Sequence, residues 1–399
     1  MPRALVQEHD SPLLVLDCER VRAQYRRLGA ALPGVDLHFA IKALPHLAVI
    51  ATLDEEGSFF DVASLGELRM LTTLGIPAER AINTHPIKRE RDIRESMSQG
   101  CNTFVVDNAA ELEKFADCGN CVSLLLRLGF RSADAEVDLA KKYGCALKDA
   151  LPLLRAARGL GLPITGLSFH VGSQCSSPRA FVEAIGGCVE LIDQARRAGV
   201  AEIAVLDIGG GFPVAYDTDA ALPSIETFCA PICAALKAAP PAVRLVAEPG
   251  RFLVAPAMSA IATVIGKARR GDAFWYYLDD GVYGSFNGRV YDPTVRYPLH
   301  TISRSAGGEF TSVLAGPTCD SIDIIAEGIS LPELEIGDLL VGSQMGAYTI
   351  GSASEFNSIP RTKIVVVNGP SRPVSQRSGS AEGGHAIQGG MRPWTAESP

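Results

Sequence analysis

Between about Leu37 and Arg251 the chain alternates two patterns. Short apolar runs rich in β-branched residues end in polar clusters, and most are followed by a stretch with helical spacing. The runs are HFAIKA, FFDVAS, RAINTH, TFVVDN, VSLLLRL, GLSFHVGS, VLDIGGGF and VRLVAEPGR, beginning near 38, 59, 80, 103, 122, 166, 205 and 243. The segments between them predict helices. PHLAVIATLDEEG stops at Gly57. SPRAFVEAIGGCVELIDQARRAG has Ser177 at the N-cap position and Pro178 at the first helical position. SIETFCAPICAALKAAP opens with Ser224 and has Glu226 in its first turn, where the helix dipole favours an acid. Strands alternating with helices imply a parallel sheet with right-handed crossovers, and eight such units predict a (β/α)₈ barrel. A doubly wound sheet is the rival arrangement. DIGGGF is not a GxGxxG after the first strand, which counts against a dinucleotide-binding version of it.

Outside this region the pattern changes. SPLLVLDC reads as one strand. After about 255 come strands and turns without long helices: AMSAIATVIGKARR, AFWYYLDDG, FTSVLAGPTCDSID, GDLLVGSQMGAYT and RTKIVVVNG. They predict an all-β domain that takes in the N-terminal strand. The expected organisation is an N-terminal strand within 1–20, a barrel over 21–255, a β domain over 256–368 and a tail over 369–399. The tail is rich in Ser, Gly and Pro, which predicts disorder.

Composition narrows the class. Of 399 residues, 47% are hydrophobic and 21% charged, which supports a sizeable core and excludes a coiled coil or a collagen-like fibre. No apolar run approaches the roughly 18 residues needed to span a bilayer. Glu8, His9 and Asp10 interrupt the N-terminus early, so no secretory signal is expected. The net charge of −8, with no basic stripe, argues against a nucleic-acid partner. The ten cysteines are scattered, and Cys118 and Cys121 form a lone CxxC without the second pair or histidines that zinc would need. Free thiols in a reducing cytoplasm, and no metal, are the expectation.

In a (β/α)₈ barrel the active site lies at the carboxyl ends of the strands. The polar residues there are Lys42, Asp61, Ser64, His85, Arg127, His170, Ser173, Gly209, Gly210, Gly211, Glu248 and Arg251. A lysine inside a parallel strand covered on both faces has no solvated place. Desolvation lowers its pKa and makes it a good Schiff-base amine, although a strand-end salt bridge fits the same position. The triple glycine lets backbone amides approach an anion and, with Arg251, could cradle a phosphate; a tight strand–helix turn is the plainer reading. His170 is equally compatible with a core histidine. One lysine, one acid and one phosphate cradle on a single rim fit pyridoxal phosphate better than any other common cofactor.

The motifs HFAIKALPH, FFDVASLGEL, SFHVGSQC, LDIGGGFP, AEPGRF, YYLDDGVYGSFN, GPTCDSID and MGAYT resemble, in the same order, those of the ornithine/diaminopimelate/arginine decarboxylase family. These are the alanine racemase-like, barrel-plus-β-domain pyridoxal-phosphate enzymes of fold type III. The resemblance runs from roughly 13 to 365 and is strongest to the eukaryotic-type ornithine branch. It implies that Lys42 binds the cofactor covalently, that Glu248 pairs with the pyridine nitrogen and that His170 stacks on the ring. Ser173, Gly209, Gly210, Gly211, Arg251 and Tyr348 would hold the phosphate, with Asp61 and Arg127 supporting the lysine and ring. Cys319 would be the acid that protonates the substrate carbon, supplied across a homodimer interface. Asp320 of the same partner and Asp292 would grip the distal amine, and Asp323 and Phe356 would complete the pocket.

The implied reaction is decarboxylation of a basic diamino acid: L-ornithine to putrescine, with L-lysine to cadaverine as a further activity. The diaminopimelate branch carries Glu where this chain has Asp320, which favours ornithine or lysine. Pro293, Arg296 and Gln174 depart from ornithine-specific members and keep lysine, arginine, diaminopimelate and the D-forms of ornithine and lysine in play. Two alternatives share the fold. A non-catalytic binding homologue would have lost the lysine, the phosphate site or the cysteine. A racemase would carry a second base, typically a tyrosine, at the place of Cys319.

Overall fold

The structure, a computed structural model, describes residues 2–131, 135–137, 139–216, 222–291, 296–302 and 308–372. It opens with a helix that the hydrophobic pattern does not predict, α1 (Pro2–His9), whose Leu5 and Val6 pack on the β domain. The apolar run SPLLVLDC then forms β1 (Leu13–Asp17). Asp17 ends the strand and caps α2 (Cys18–Ala31), its carboxylate accepting the amide hydrogen of Glu19.

The predicted runs fold as β2 (Val35–Ala40), β3 (Phe59–Val62), β4 (Ala81–Asn83), β5 (Thr103–Val106) and β6 (Ser123–Leu128). They continue after β7 (Ala135–Val137) with β8 (Ile164–Phe169), β9 (Ser173–Cys175), β10 (Val205–Asp207) and β11 (Arg244–Ala247). All but β7 and β9 close into a parallel barrel in the order β10-β11-β2-β3-β4-β5-β6-β8. The period of two sorts each strand. Leu124 and Leu126 join the core beneath the helices, whereas Leu125 joins Ile82, Val105 and Val246 in a separate apolar plug.

Helices wrap the barrel: α3 (Leu47–Glu55), α4 (Leu65–Thr73), α5 (Glu90–Ser98), α6 (Ala109–Glu113), α7 (Leu147–Gly159), α8 (Arg179–Arg197), α9 (Ile225–Leu236) and the short α10 (Arg251–Val254). In α8 the buried side chains Phe181, Ala184, Ile185, Cys188, Leu191, Ile192 and Ala195 recur at helical spacing, which fixes its inner face. Its start corrects the sequence reading: Pro178 is the cap rather than the first helical residue, and the Ser177 hydroxyl accepts the Arg179 amide hydrogen. Ser224 does cap α9, accepting from Thr227.

The second layer is an eight-stranded sheet. It comprises β12 (Met258–Arg270), β13 (Ala273–Leu278), β14 (Leu299–Thr301), β15 (Glu309–Ala315), β16 (Ile324–Pro332), β17 (Leu339–Gly342), β18 (Lys363–Val367) and β1. β1 pairs antiparallel with β12 and parallel with β18, so the N-terminal strand is inside this sheet. The pattern does not predict β14 or β16. No helix among the described residues is long and apolar enough to cross a membrane. From 373 onward the tail lies outside the described residues.

Candidate active site

The polar rim assembles from the barrel's strand ends. Lys42 is not in β2 itself, which ends at Ala40; it sits in the single 3₁₀ turn Ile41–Ala43 that follows. Its Nζ donates to Asp61 Oδ2 at 2.5 Å. Asp61, on β3, is fully buried and takes its second hydrogen bond from the Thr84 hydroxyl just past β4. Burial alone would pull the Lys42 amine down, as the sequence reading expected. The structure reverses that: Asp61 and Glu248 face the amine and hold its pKa above the ordinary lysine value.

Glu248 follows β11 and Asp207 ends β10, side by side at the bottom of the rim. Burial, with repulsion from Asp207 and Asp61, pushes Glu248 well above the usual carboxylate range; burial also raises Asp207, against a hydrogen bond with Glu248 that lowers it. The Glu248 site thus favours a carboxyl that keeps or shares a proton. His170 lies just past β8. Burial, with Arg127 and Lys42 nearby, holds its pKa well below the ordinary value, so the ring is neutral. Its Nδ1 accepts the Gly172 amide hydrogen at 3.0 Å. Arg127, on β6, lies over the Tyr143 ring at 5.5 Å.

The glycine loop closes beneath these groups. Gly209 and Gly211 have φ of 66° and 114°, where glycine is at ease. A side chain at Gly210 would collide with the Glu248 carbonyl, 2.6 Å away, and with His170 Nε2 at 3.1 Å. The amides of Gly210 and Gly211 bond to no acceptor among the described residues. Beside them Arg251 donates to the Ser173 hydroxyl at 3.1 Å and to the Tyr216 hydroxyl at 2.7 Å. The guanidinium also lies over the Tyr348 ring at 4.9 Å. Tyr348 comes from the β domain and is held by its amide, which donates to the Ala43 carbonyl beside Lys42. An amine, a neutral imidazole face, a buried proton-holding carboxyl and an anion cradle therefore converge. That set fits a phosphorylated aldehyde with a basic ring nitrogen, which is what pyridoxal phosphate is.

The remaining expected residues form a second group in the β domain. Asp320 Oδ2 accepts the Tyr283 hydroxyl hydrogen at 2.5 Å, which with backbone donors lowers the carboxyl's pKa. Tyr283 stacks on Phe356, ring centroids 4.3 Å apart. Cys319 is exposed, and its amide donates to Asn357 Oδ1. No hydrogen bond or ion pair among the described residues directly joins Cys319, Asp320 or Phe356 to the Lys42 group. Asp323 departs from the substrate-binding expectation. It is 2% exposed, and its carboxylate accepts from the Val282 and Thr318 amides and the Thr318 hydroxyl. It braces the loop that presents Cys319 and Asp320. Asp292 and Pro293 lie outside the described residues.

Some rim residues were not singled out by the sequence. Asp207 was within VLDIGGGF and ends its strand, so position alone could have found it. Thr84 and Tyr216 carry no such signal, being ordinary loop residues until the fold brings them to Asp61 and Arg251. Ser64 accepts the Glu67 amide hydrogen as the cap of α4, and His85 meets the Tyr143 hydroxyl at 3.3 Å.

The family model for the pyridoxal-binding domain of pyridoxal-dependent decarboxylases matches residues 18–255. Lysine/ornithine decarboxylase of Selenomonas ruminantium is 35% identical over 355 residues, 89% of each chain. Ornithine decarboxylase of Mus musculus is 35% identical over 377 residues, covering 91% of this chain and 81% of the mouse protein. The crystal structure of lysine/ornithine decarboxylase from Vibrio vulnificus complexed with cadaverine superimposes with a TM-score of 0.87 at 48% identity, covering 92% of this chain and 95% of that one. A putrescine complex of the Vibrio protein matches equally well.

Proposed function

Since the chain belongs to the pyridoxal-dependent decarboxylases, we propose that it removes the α-carboxyl group of a basic diamino acid. L-Ornithine, giving putrescine, is the first substrate, and L-lysine, giving cadaverine, the second. The protein is an amino-acid decarboxylase with pyridoxal phosphate as cofactor. The observation that carries the substrate class is Asp320: a carboxylate kept ionised by Tyr283 and presented beside an exposed cysteine suits a distal ammonium.

When bound, pyridoxal phosphate supplies the sink for the electron pair that departing carbon dioxide leaves behind. The chain's residues do the rest. Lys42 carries the cofactor, and Asp61 keeps the amine aimed. Glu248 holds the proton that keeps the ring nitrogen cationic, a charge-assisted hydrogen bond worth about 1.5–3 kcal/mol. Felt in the transition state alone, that is about one to two powers of ten in rate. His170 offers a flat uncharged face, and Arg127 supports the ring from β6. Ser173, the glycines, Arg251 and Tyr348 hold the phosphate. Cys319 returns a proton to the substrate carbon, and Asp320, with Asp292, grips the distal amine next to Phe356. On this reading the barrel over 21–255 is the cofactor domain. The β domain over 256–368, with the strand within 1–20, supplies the proton donor to the partner of a homodimer. No disulfide joins the ten cysteines, which suits a reducing cytoplasm.

The test is carbon dioxide release from L-ornithine, L-lysine, their D-forms, L-arginine and diaminopimelate under one set of conditions. One methylene separates ornithine from lysine, about 1–3 kcal/mol of discrimination, so their kcat/KM values should lie within about 200-fold. A larger value for arginine or diaminopimelate would overturn the substrate assignment. Negligible release from all six by a yellow, cofactor-loaded protein would overturn the reaction.

A further inference from the structure

Gln174 stands in HVGSQC, and the sequence reading tied it to substrate choice. The structure turns its side chain elsewhere. Gln174 is 7% exposed and has a φ of 52°, a conformation uncommon for a residue with a side chain. Its carboxamide makes a two-point contact with the backbone of one residue of the glycine loop, Val214. Nε2 donates to the Val214 carbonyl at 2.9 Å, and Oε1 accepts the Val214 amide hydrogen at 2.8 Å. The side chain thereby completes the backbone hydrogen bonding of a residue that has no strand to pair with.

The neighbours of Gln174 engage the same loop. Ser173 accepts from Arg251, and the Cys175 amide donates to the Gly211 carbonyl at 2.9 Å. Three successive residues thus contact Arg251, Val214 and Gly211. The two segments run backbone against backbone: a side chain at Gly211 would lie 2.4 Å from the Gly172 carbonyl. The loop from Gly209 to Tyr216 has no regular secondary structure, so bonds from outside must set its course.

We propose that Gln174 is a positioning residue of the phosphate cradle: by clamping Val214 it fixes Gly210 and Gly211 with their amides facing the Arg251 side. Its side chain acts through Val214. It lowers the ordering cost that an unclamped loop would meet on binding the phosphate. The inference rests on the assignment of the cradle to the phosphate of pyridoxal phosphate.

The experiment measures the affinity of the apoprotein for pyridoxal phosphate and for pyridoxal, which lacks the phosphate, by absorbance titration. Gln174→Gly removes the clamp and suits the left-handed backbone. Gln174→Met keeps the bulk and removes both hydrogen bonds. Each variant should bind pyridoxal phosphate roughly ten- to a hundredfold more weakly, the range that two buried hydrogen bonds command, with pyridoxal affinity unchanged. A Gln174→Gly protein that binds pyridoxal phosphate like the parent would overturn the proposal. So would parallel loss of both ligands, which marks general loosening. If Gln174→Met does not fold, Gln174→Gly decides alone. Arg251→Ala separates the two levels of inference. If that change leaves the preference for pyridoxal phosphate over pyridoxal intact, the cradle assignment fails. If it abolishes the preference while Gln174→Gly does not, only the role of Gln174 fails.

Discussion

At Lys42 two effects oppose each other. Burial favours the neutral amine, and the Asp61 and Glu248 carboxyls favour the ammonium; the carboxyls win because Asp61 is in direct contact and itself buried. The free amine of the apoprotein therefore keeps its proton through neutral pH, and capture of the cofactor aldehyde speeds up as pH rises. Asp61→Asn removes the closest negative charge and lets the Lys42 pKa fall. The pH profile of pyridoxal phosphate uptake should then move to lower pH, as followed by absorbance in the apoprotein. An unmoved or alkaline-shifted profile would show that Asp61 does not set the charge on Lys42. The identity of Lys42 as the key amine was legible in HFAIKALP, but the sign of its shift was not. Sequence spacing does not reveal that residues 42, 61 and 248 share a few ångströms.

Elements were legible in proportion to their periodicity. The helical spacing in α8 and the short apolar runs of the barrel announced themselves. β14 spans three residues, and β16 is broken by Glu327 and by Gly328 at φ 67°, so neither shows a clean alternation. β1 was legible as a strand but not in its double role between β12 and β18. That role makes it a tie for the whole β sheet. Leu16 is fully buried there opposite Met258. Leu16→Ala should cost about 2–5 kcal/mol and lower the Tm by several degrees. An unchanged Tm would mean that the strand's burial contributes little.

At the scale of the molecule, the site residues divide between two domains. The barrel rim holds the amine, the proton-holding carboxyl and the cradle, whereas Cys319 and Asp320 project from the β domain and, among the described residues, make no direct bond to that rim. On the proposed reading a second copy completes the active site. Inactive Lys42→Ala and Cys319→Ala chains, mixed and allowed to exchange, should recover part of the parental activity through mixed dimers. Recovery of none, with exchange confirmed by differently tagged chains, would place Cys319 in its own chain's site or outside the chemistry.

By itself the sequence determined the eight-unit barrel, the β domain and nearly every residue of the rim. Those follow from local rules: periods of two and 3.6 residues fix the elements, and a parallel barrel carries the carboxyl ends of its strands to one face. The tertiary structure alone decided what those residues are doing to one another. It turned Lys42 into a held ammonium, made Asp323 a brace rather than a pocket wall, and set Gln174 against the glycine loop. Burial, charge proximity and hydrogen-bond partners depend on distances through space, and chain spacing does not encode those until the barrel closes.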